Sequence, residues 1–449
     1  MQSFRRYLLL FAATMCTAYG YSDSATSVSQ SDITDEDLKA MRDYMNSKKN
    51  VTVKDLGGGL TISGEVRVEF QNAHEKLNGE QLRGVRRRTF ANSKEKSEAT
   101  RSYDIELNLL LDYRADRTWA SVKLEFDHAA GITTGTETGV DLERAYFGAR
   151  AVQGDSYVFD IEIGRRGLGQ PFDSKVQFDS RFDGILVKYD QAIEAVGDFY
   201  THVGAFVINE RVDHYGYVGE LGLLNIAKSG FYTKYSLIDW DTKDLDRRHR
   251  RRFREGETDR DRERRLARDT NRDLNRLYDY FVSQFLVGYR FVPVKFQKSV
   301  LLYAAILVNH AARRHDYTHD KKLNMGGYAG FTLGTARKQG DWALDVNYQI
   351  IQAQAIPSFD VSGIGLRNIS REGLTTNSNT SGPATLRRLP FGNTNYQGYI
   401  LELGYLFTDN LLIQQSWQQS FSLNNDIGVA QFGNARTFNQ YELEFIYAF

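Results

Sequence analysis

The last nine residues of the chain, Tyr441-Glu442-Leu443-Glu444-Phe445-Ile446-Tyr447-Ala448-Phe449, place Tyr441, Leu443, Phe445, Tyr447 and Phe449 on one side of an extended strand. Gln440, Glu442 and Glu444 fall on the other side. The same period of two opens at Leu60, where Ile62, Val66, Val68 and Phe70 alternate with Ser63, Glu65, Arg67 and Glu69. It returns at Tyr103–Tyr113, where Glu106 lies on the polar face, at Ala120–Phe126 with Lys123 and Glu125, at Tyr157–Ile163 with Glu162, and at Trp342–Ile350. Alternation of this kind predicts strands near 60–71, 102–114, 118–128, 141–152, 155–164, 181–190, 196–208, 216–225, 230–240, 279–291, 297–310, 324–336, 341–354, 394–407, 411–422 and 436–449. Sixteen strands result, with fourteen or eighteen as alternatives. Residues 196–208 alternate weakly, Val300–Val308 is apolar on both faces, and the split of 216–240 rests on Ala227-Lys228-Ser229.

The connections between these runs alternate in length. Short ones fall at Ala115–Arg117, Gln153–Gly154, Gln191–Val196, Ala227–Ser229, Pro293–Lys295, Lys338–Asp341 and Thr408–Asn410. Long ones fall between them, at 72–101, 129–140, 165–180, 209–215, 241–278, 311–323, 355–393 and 423–435. An antiparallel up-and-down transmembrane β-barrel predicts this rhythm, with tight turns at one end and long loops at the other. A β-sandwich has no reason to keep it. Closure also removes the edge that an oily terminal strand would otherwise expose. In such a barrel Glu65, Arg67, Glu69, Glu106, Lys123, Glu125, Glu162, Glu442 and Glu444 line the lumen, and their apolar neighbours face lipid.

Composition constrains this reading without choosing it. A chain of 449 residues with 41% hydrophobic and 25% charged residues suits several soluble domains or one large barrel. Beyond the N-terminus no run approaches the roughly 18 apolar residues of a spanning helix, so a membrane reading rests on strands. Pro171, Pro293, Pro357, Pro383 and Pro390 all fall between strand-like runs. The formal net charge of +0 argues against a nucleic-acid partner, and 13% aromatic residues suit the girdles of a barrel.

Residues 1–20 carry Arg5 and Arg6, an apolar run from Tyr7 to Met15, and the small residues Ala18 and Gly20, which predicts a secretory signal peptide. The single cysteine, Cys16, lies inside it, so the mature chain is expected to hold no thiol. Residues 21–57 read as a periplasmic linker with a short helix, since Thr34-Asp35-Glu36-Asp37 precedes Leu38, Met41 and Met45 on one helical face. The run Gly57-Gly58-Gly59 marks the start of the barrel, 58–449.

Catalytic and metal chemistry find little support. No Gly-x-Ser-x-Gly elbow occurs, and the glycines of 164–169 lack the Lys-Ser/Thr and the βαβ setting of a phosphate loop. His315 and His319 stand four residues apart in a polar loop without a carboxylate on a framed helix, and His74, His128, His202 and His214 are scattered. No catalytic residue, metal site or cofactor is expected. The Arg-rich segment 241–278, with runs such as Asp259-Arg260-Asp261-Arg262-Glu263-Arg264-Arg265, mixes both signs and reads as a salt-bridged surface loop.

Four features together resemble Gram-negative outer-membrane porins, and among them the porins described in chlamydia-like bacteria. They are the export signal, the loop rhythm, the segment from Glu143-Arg144-Ala145-Tyr146 through Asp183-Gly184, and the closing Tyr447-Ala448-Phe449. Phe449, with Tyr447 before it, is similar to the sorting signal read by the barrel-assembly machinery. The segment 164–184 is similar to the loop that folds into sixteen-stranded porins and narrows them. The resemblance then implies that Asp173, Lys175 and Asp179 face basic groups on the wall, with Arg144, Arg165, Arg166 and Arg181 as candidates, across a transverse field. It further implies a homotrimer in the bacterial outer membrane, in contact with lipid and lipopolysaccharide, passing small hydrophilic solutes and ions. A channel selective for oligosaccharide or an anionic polymer, and an adhesin on a barrel scaffold, are the alternatives.

Overall fold

A strand with one oily and one charged face can bury neither face alone, and here the chain resolves the conflict by closing on itself. The computed structural model describes residues 51–55, 58–77, 79–81, 100–129, 140–209, 214–241, 280–314, 318, 320–368, 393–425 and 436–449. These form one antiparallel sheet of 18 strands. In chain order they are β1 (Val51–Asp55), β2 (Gly58–Leu77), β3 (Glu80–Gln81), β4 (Arg101–Arg114), β5 (Thr118–Ala129) and β6 (Asp141–Gln153). Next come β7 (Tyr157–Gly167), β8 (Arg181–Ile193), β9 (Gly197–Asn209), β10 (His214–Ile226), β11 (Phe231–Trp240) and β12 (Tyr280–Phe291). The last are β13 (Val300–Asn309), β14 (Met325–Gly334), β15 (Trp342–Ile351), β16 (Tyr396–Leu406), β17 (Leu411–Ser422) and β18 (Arg436–Ala448). One helical turn, α1 (Ile364–Arg367), interrupts the connection after β15.

Among the described residues the short strands β1 and β3 pair with β2, and the other strands close as a ring of sixteen, each beside its sequence neighbours. The seam joins β18 to β2 from Arg436↔Leu77 to Ala448↔Glu65, and Phe449 continues it by exchanging two backbone hydrogen bonds with Gly64 at 2.9 and 3.0 Å. Each of the sixteen periodic runs is a barrel strand, and the short connections gather at one end. The division at Ala227-Lys228-Ser229 is real: Asn225, Ala227 and Lys228 all take positive φ and turn β10 into β11. β1 was not foreseen. It lies within the stretch read as linker and pairs Val51–Asp55 with Ile62–Gly58, on the length of β2 that β18 leaves free. The proposed signal peptide, the helix near Leu38–Met45, His315, His319 and the segment 242–278 lie outside the described residues.

The distribution of side chains is the reverse of a soluble protein's. Tyr441, Phe445, Tyr447 and Phe449 are exposed while Gln440, Glu442 and Glu444 are buried, and exposure alternates along all of β18, with Phe438, Ile446 and Ala448 also on the buried side. Val203 is 54% exposed and Leu221 50%, against 1% for Glu65 and 3% for Glu162.

Glycines on the inner face make room for aromatic rings on the strand opposite. A Cβ on Gly222 would lie 1.9 Å from the ring of Tyr200, its register partner, and Gly288 meets Tyr232 and Gly148 meets Trp119 in the same way. The seated Tyr200 hydroxyl donates to Glu220 at 2.7 Å. Gly222→Val should therefore displace the ring and cost about 1–3 kcal/mol. A lowered temperature for loss of the folded, faster-migrating gel band checks it, and no shift would contradict the ring's seating.

A loop-narrowed interior as the candidate functional site

Beyond Gly167 the chain leaves β7 and turns into the barrel. Leu168, Phe172, Val176 and Phe178 are at most 2% exposed. Apolar groups pin the segment against the inner face, with Phe172 and Phe178 in ring contact at 5.6 Å. Beside them the inner wall itself is apolar, along Phe182, Phe206 and Trp240, whose rings follow one another at 5.8 and 5.0 Å and end on Phe359 at 4.9 Å. The all-apolar run Val300–Val308 has the same cause. Its inward residues Leu301, Tyr303, Ala305 and Leu307 are all buried, and Lys175 of the inserted segment lies over the Tyr303 ring.

A second segment, after β15, also enters the interior. Residues 352–368, read from the sequence as the end of the strand 341–354 and the start of the long loop 355–393, fold inward and bury Ala355, Ile356, Val361 and Ile364. The two segments dock through a β-bridge between Gln177 and Val361, and Ser362 N–H donates to the Val176 carbonyl at 3.0 Å. Gly363 takes φ +62 there, and a Cβ would lie 2.4 Å from the Lys175 carbonyl oxygen. Asp360 is the centre of the junction: its carboxylate accepts from the backbone N–H of Phe178 at 3.3 Å and of Ser180 at 3.1 Å. Complete burial pushes the Asp360 carboxyl up to about 7, with those N–H donors working against the rise.

The sequence-derived site residues separate into three groups. Asp173 and Lys175 do face charged wall residues, but not the arginines expected. Asp173 meets Lys234 on β11 at 3.1 Å, and its backbone carbonyl accepts from Gln284 on β12 at 2.6 Å. Lys175 meets Asp345 on β15 at 3.2 Å and lies 5.4 Å above the Tyr303 ring. The loop crosses the interior to the far wall, so its partners lie on strands well removed in sequence. Asp179 is exposed at the end of the segment.

The arginines stay on the near wall. Arg166 pairs with Glu162, which Lys188 also reaches at 2.6 Å, and Arg166 lies 4.8 Å over the Tyr146 ring. Arg144, on the same inner face as Tyr146, reaches the Gln170 amide at 3.1 Å once that amide presents its oxygen. Arg165 points the other way, on the outer face beside Ile163, and pairs with its register partner Asp183 at 2.7 Å. Arg181 stands at the start of β8, 3.6 Å from Glu125 and 4.0 Å from Asp141.

The remaining wall is acidic. Arg67 pairs with Glu65 at 2.9 Å and Glu106 at 3.9 Å, and Lys123 pairs with Glu143 beside Glu125. Glu69, Glu442 and Glu444 bring one carboxylate oxygen each within 4.8 Å of one another. Sequence reasoning missed Lys234, Asp345, Glu402 and the whole inserted segment 352–368. The run Ile356-Pro357-Ser358-Phe359-Asp360-Val361, apolar within an otherwise polar connection, was the signal available.

No protein-family model and no curated protein matches the sequence. Solved structures that resemble the fold include three outer-membrane proteins. OprB of Pseudomonas putida, in a high-pH structure, is 12% identical over 88% of this chain and 94% of its own, with a TM-score of 0.47. OmpF of Salmonella typhi, in complex with daunomycin, is 12% identical over 89% and 100%, with a TM-score of 0.44. The outer-membrane channel DcaP of Acinetobacter baumannii is 11% identical over 88% and 99%, also at 0.44. The architecture described above rests on the strand pairing of this chain itself.

Proposed function

We propose that the chain is an outer-membrane porin, a water-filled barrel through which small hydrophilic solutes and ions diffuse passively past two inserted loops. The observation that carries this reading is the inverted barrel: oily residues on the outside of a closed ring and charged ones on the inside. Lipid is the solvent that stabilises such an exterior, and closure satisfies every backbone hydrogen bond within it. Glu65, Arg67, Glu69, Glu106, Lys123, Glu125, Glu162, Glu442 and Glu444 then make up the lumenal side of the wall, with Glu65, Glu162, Glu442 and Glu444 packed among their polar neighbours. Constriction falls to Asp173 and Lys175 with Lys234 and Asp345, and the near wall supplies Arg144 and Arg166. Opposite charges on facing walls give a transverse field that sorts solutes by charge and dipole.

The finer expectations belong to the same proposal: export by the N-terminal signal, assembly guided by Tyr447 and Phe449, a homotrimer in contact with lipopolysaccharide, and kinship with the porins of chlamydia-like bacteria. Sequence resemblance supports them. Refolded protein added to planar bilayers should give stepwise conductance in simple salt, unchanged by maltooligosaccharides. Conductance blocked by those sugars would favour a selective channel. Absence of conductance from a correctly folded barrel would favour an adhesin.

A further inference from the structure

Arg367, the last residue of α1, is carried by the inserted segment to the acidic wall of β16, β17 and β18. Its guanidinium donates to the Ser416 hydroxyl on β17 and to Glu402 on β16 at 3.3 Å, and lies 3.6 Å from Glu442 on β18. Three adjacent strands thus present a hydroxyl and two carboxylates to one planar cation, a donor-to-acceptor match that suits a guanidinium better than a point charge. The wall holds more than this one charge requires. Among the described residues Glu69 and Glu444, beside Glu442, form no direct ion pair: Gln71 donates to Glu69, and Arg67, paired with Glu65, and Arg367 attract Glu444 through space. One inward step from Ser416, Gln418 is 0% exposed, and neither of its amide atoms has a hydrogen-bond partner among the described residues. Among the described residues, negative charge and hydrogen-bonding capacity therefore both exceed what Arg367 engages.

We infer that the wall formed by Glu402, Ser416, Glu442, Glu444 and Glu69 is a binding site for guanidinium-bearing solutes, and that Arg367 is its tethered occupant. A solute entering the site must exchange with Arg367. The chain's own guanidinium then competes at a high effective concentration, keeping affinity low enough for release. This rests on the porin reading for its physiological sense, though not for its binding chemistry.

The full chain, refolded in detergent, is titrated calorimetrically with propylguanidinium chloride, with neutral propylurea as the isosteric control and calcium chloride alone as the competing cation. Arg367→Gln should tighten propylguanidinium about tenfold by removing the tethered competitor, and Glu442→Gln added to it should reverse most of the gain. Propylurea should give no heat. Equal affinity in wild type and Arg367→Gln, equal binding of propylurea, or a site that takes calcium and not propylguanidinium would each overturn the inference. If Glu442→Gln does not fold, Ser416→Ala in the Arg367→Gln background makes the same test. Binding without any bilayer conductance would sink the porin reading and spare the site; conductance without binding would do the opposite.

Discussion

Arginine in place of Val203 should destabilise the membrane-inserted protein by about 2–4 kcal/mol, the cost of a cation near the bilayer midplane. Val203 lies midway along β9, points away from the interior and is 54% exposed. At a water-facing position the same change would fall within roughly 0.5 kcal/mol of zero, because exposed substitutions away from special features rarely do more. Solvent alone separates the two outcomes. Denaturant unfolding from phospholipid vesicles measures the difference, and Glu106→Gln on the inner face is the matched control, expected to alter ion selectivity with little effect on stability. An unchanged midpoint for Val203→Arg would mean that the outer face does not meet lipid.

Conductance should rise as the pH is raised from about 5 to 8. The Asp360 carboxyl, pushed up to about 7 by burial, binds its proton more tightly when the two inserted loops are docked than when they part and it returns to its ordinary value near 3.8. A group raised in the docked state stabilises docking fully below the undocked value, and this stabilisation is lost as the pH climbs through the docked one. The shift corresponds to on the order of 4 kcal/mol of docking free energy across that window. Ionised Asp360 remains in a buried junction with two backbone donors, so the Gln177–Val361 bridge weakens and the passage widens. Asp360→Asn, neutral at every pH, should flatten the profile near its acid-side level. Opening toward acid, or a variant that follows the wild-type profile, would show that Asp360 does not hold the loops.

What the sequence made legible and what it concealed follow from one distinction. Strand period, turn chemistry and loop rhythm are local properties, so together they gave sixteen strands in order, with fourteen or eighteen as alternatives and a split at Ala227-Lys228-Ser229 that the positive φ angles there account for. The inner wall is not local. Lys234 and Asp345 meet the first loop only because the ring brings β11 and β15 across the interior from β7, and no spacing along the chain encodes that juxtaposition. Proximity in sequence suggested Arg165 and Arg166 instead, but Arg165 falls on the outer face and Arg166 is held by Glu162. The weak alternation at 196–208 and the doubly apolar Val300–Val308 looked like poor strands. They are ordinary strands whose inner face is covered by protein, as Phe206 against Phe182 and Trp240 illustrates. The inserted segment 352–368 carried no period at all, and only its apolar cluster set it apart from the polar connection around it.

The central claim is the direction in which the two faces of each strand point. Spin labels at single cysteines replacing Ile105 and Glu106, neighbours on β4, test it most directly in the vesicle-inserted protein. The label at 105 should collide with oxygen dissolved in lipid and be shielded from a water-soluble nickel chelate, and the label at 106 should show the opposite. A label at 106 that meets lipid, or one at 105 that meets the chelate, would contradict it.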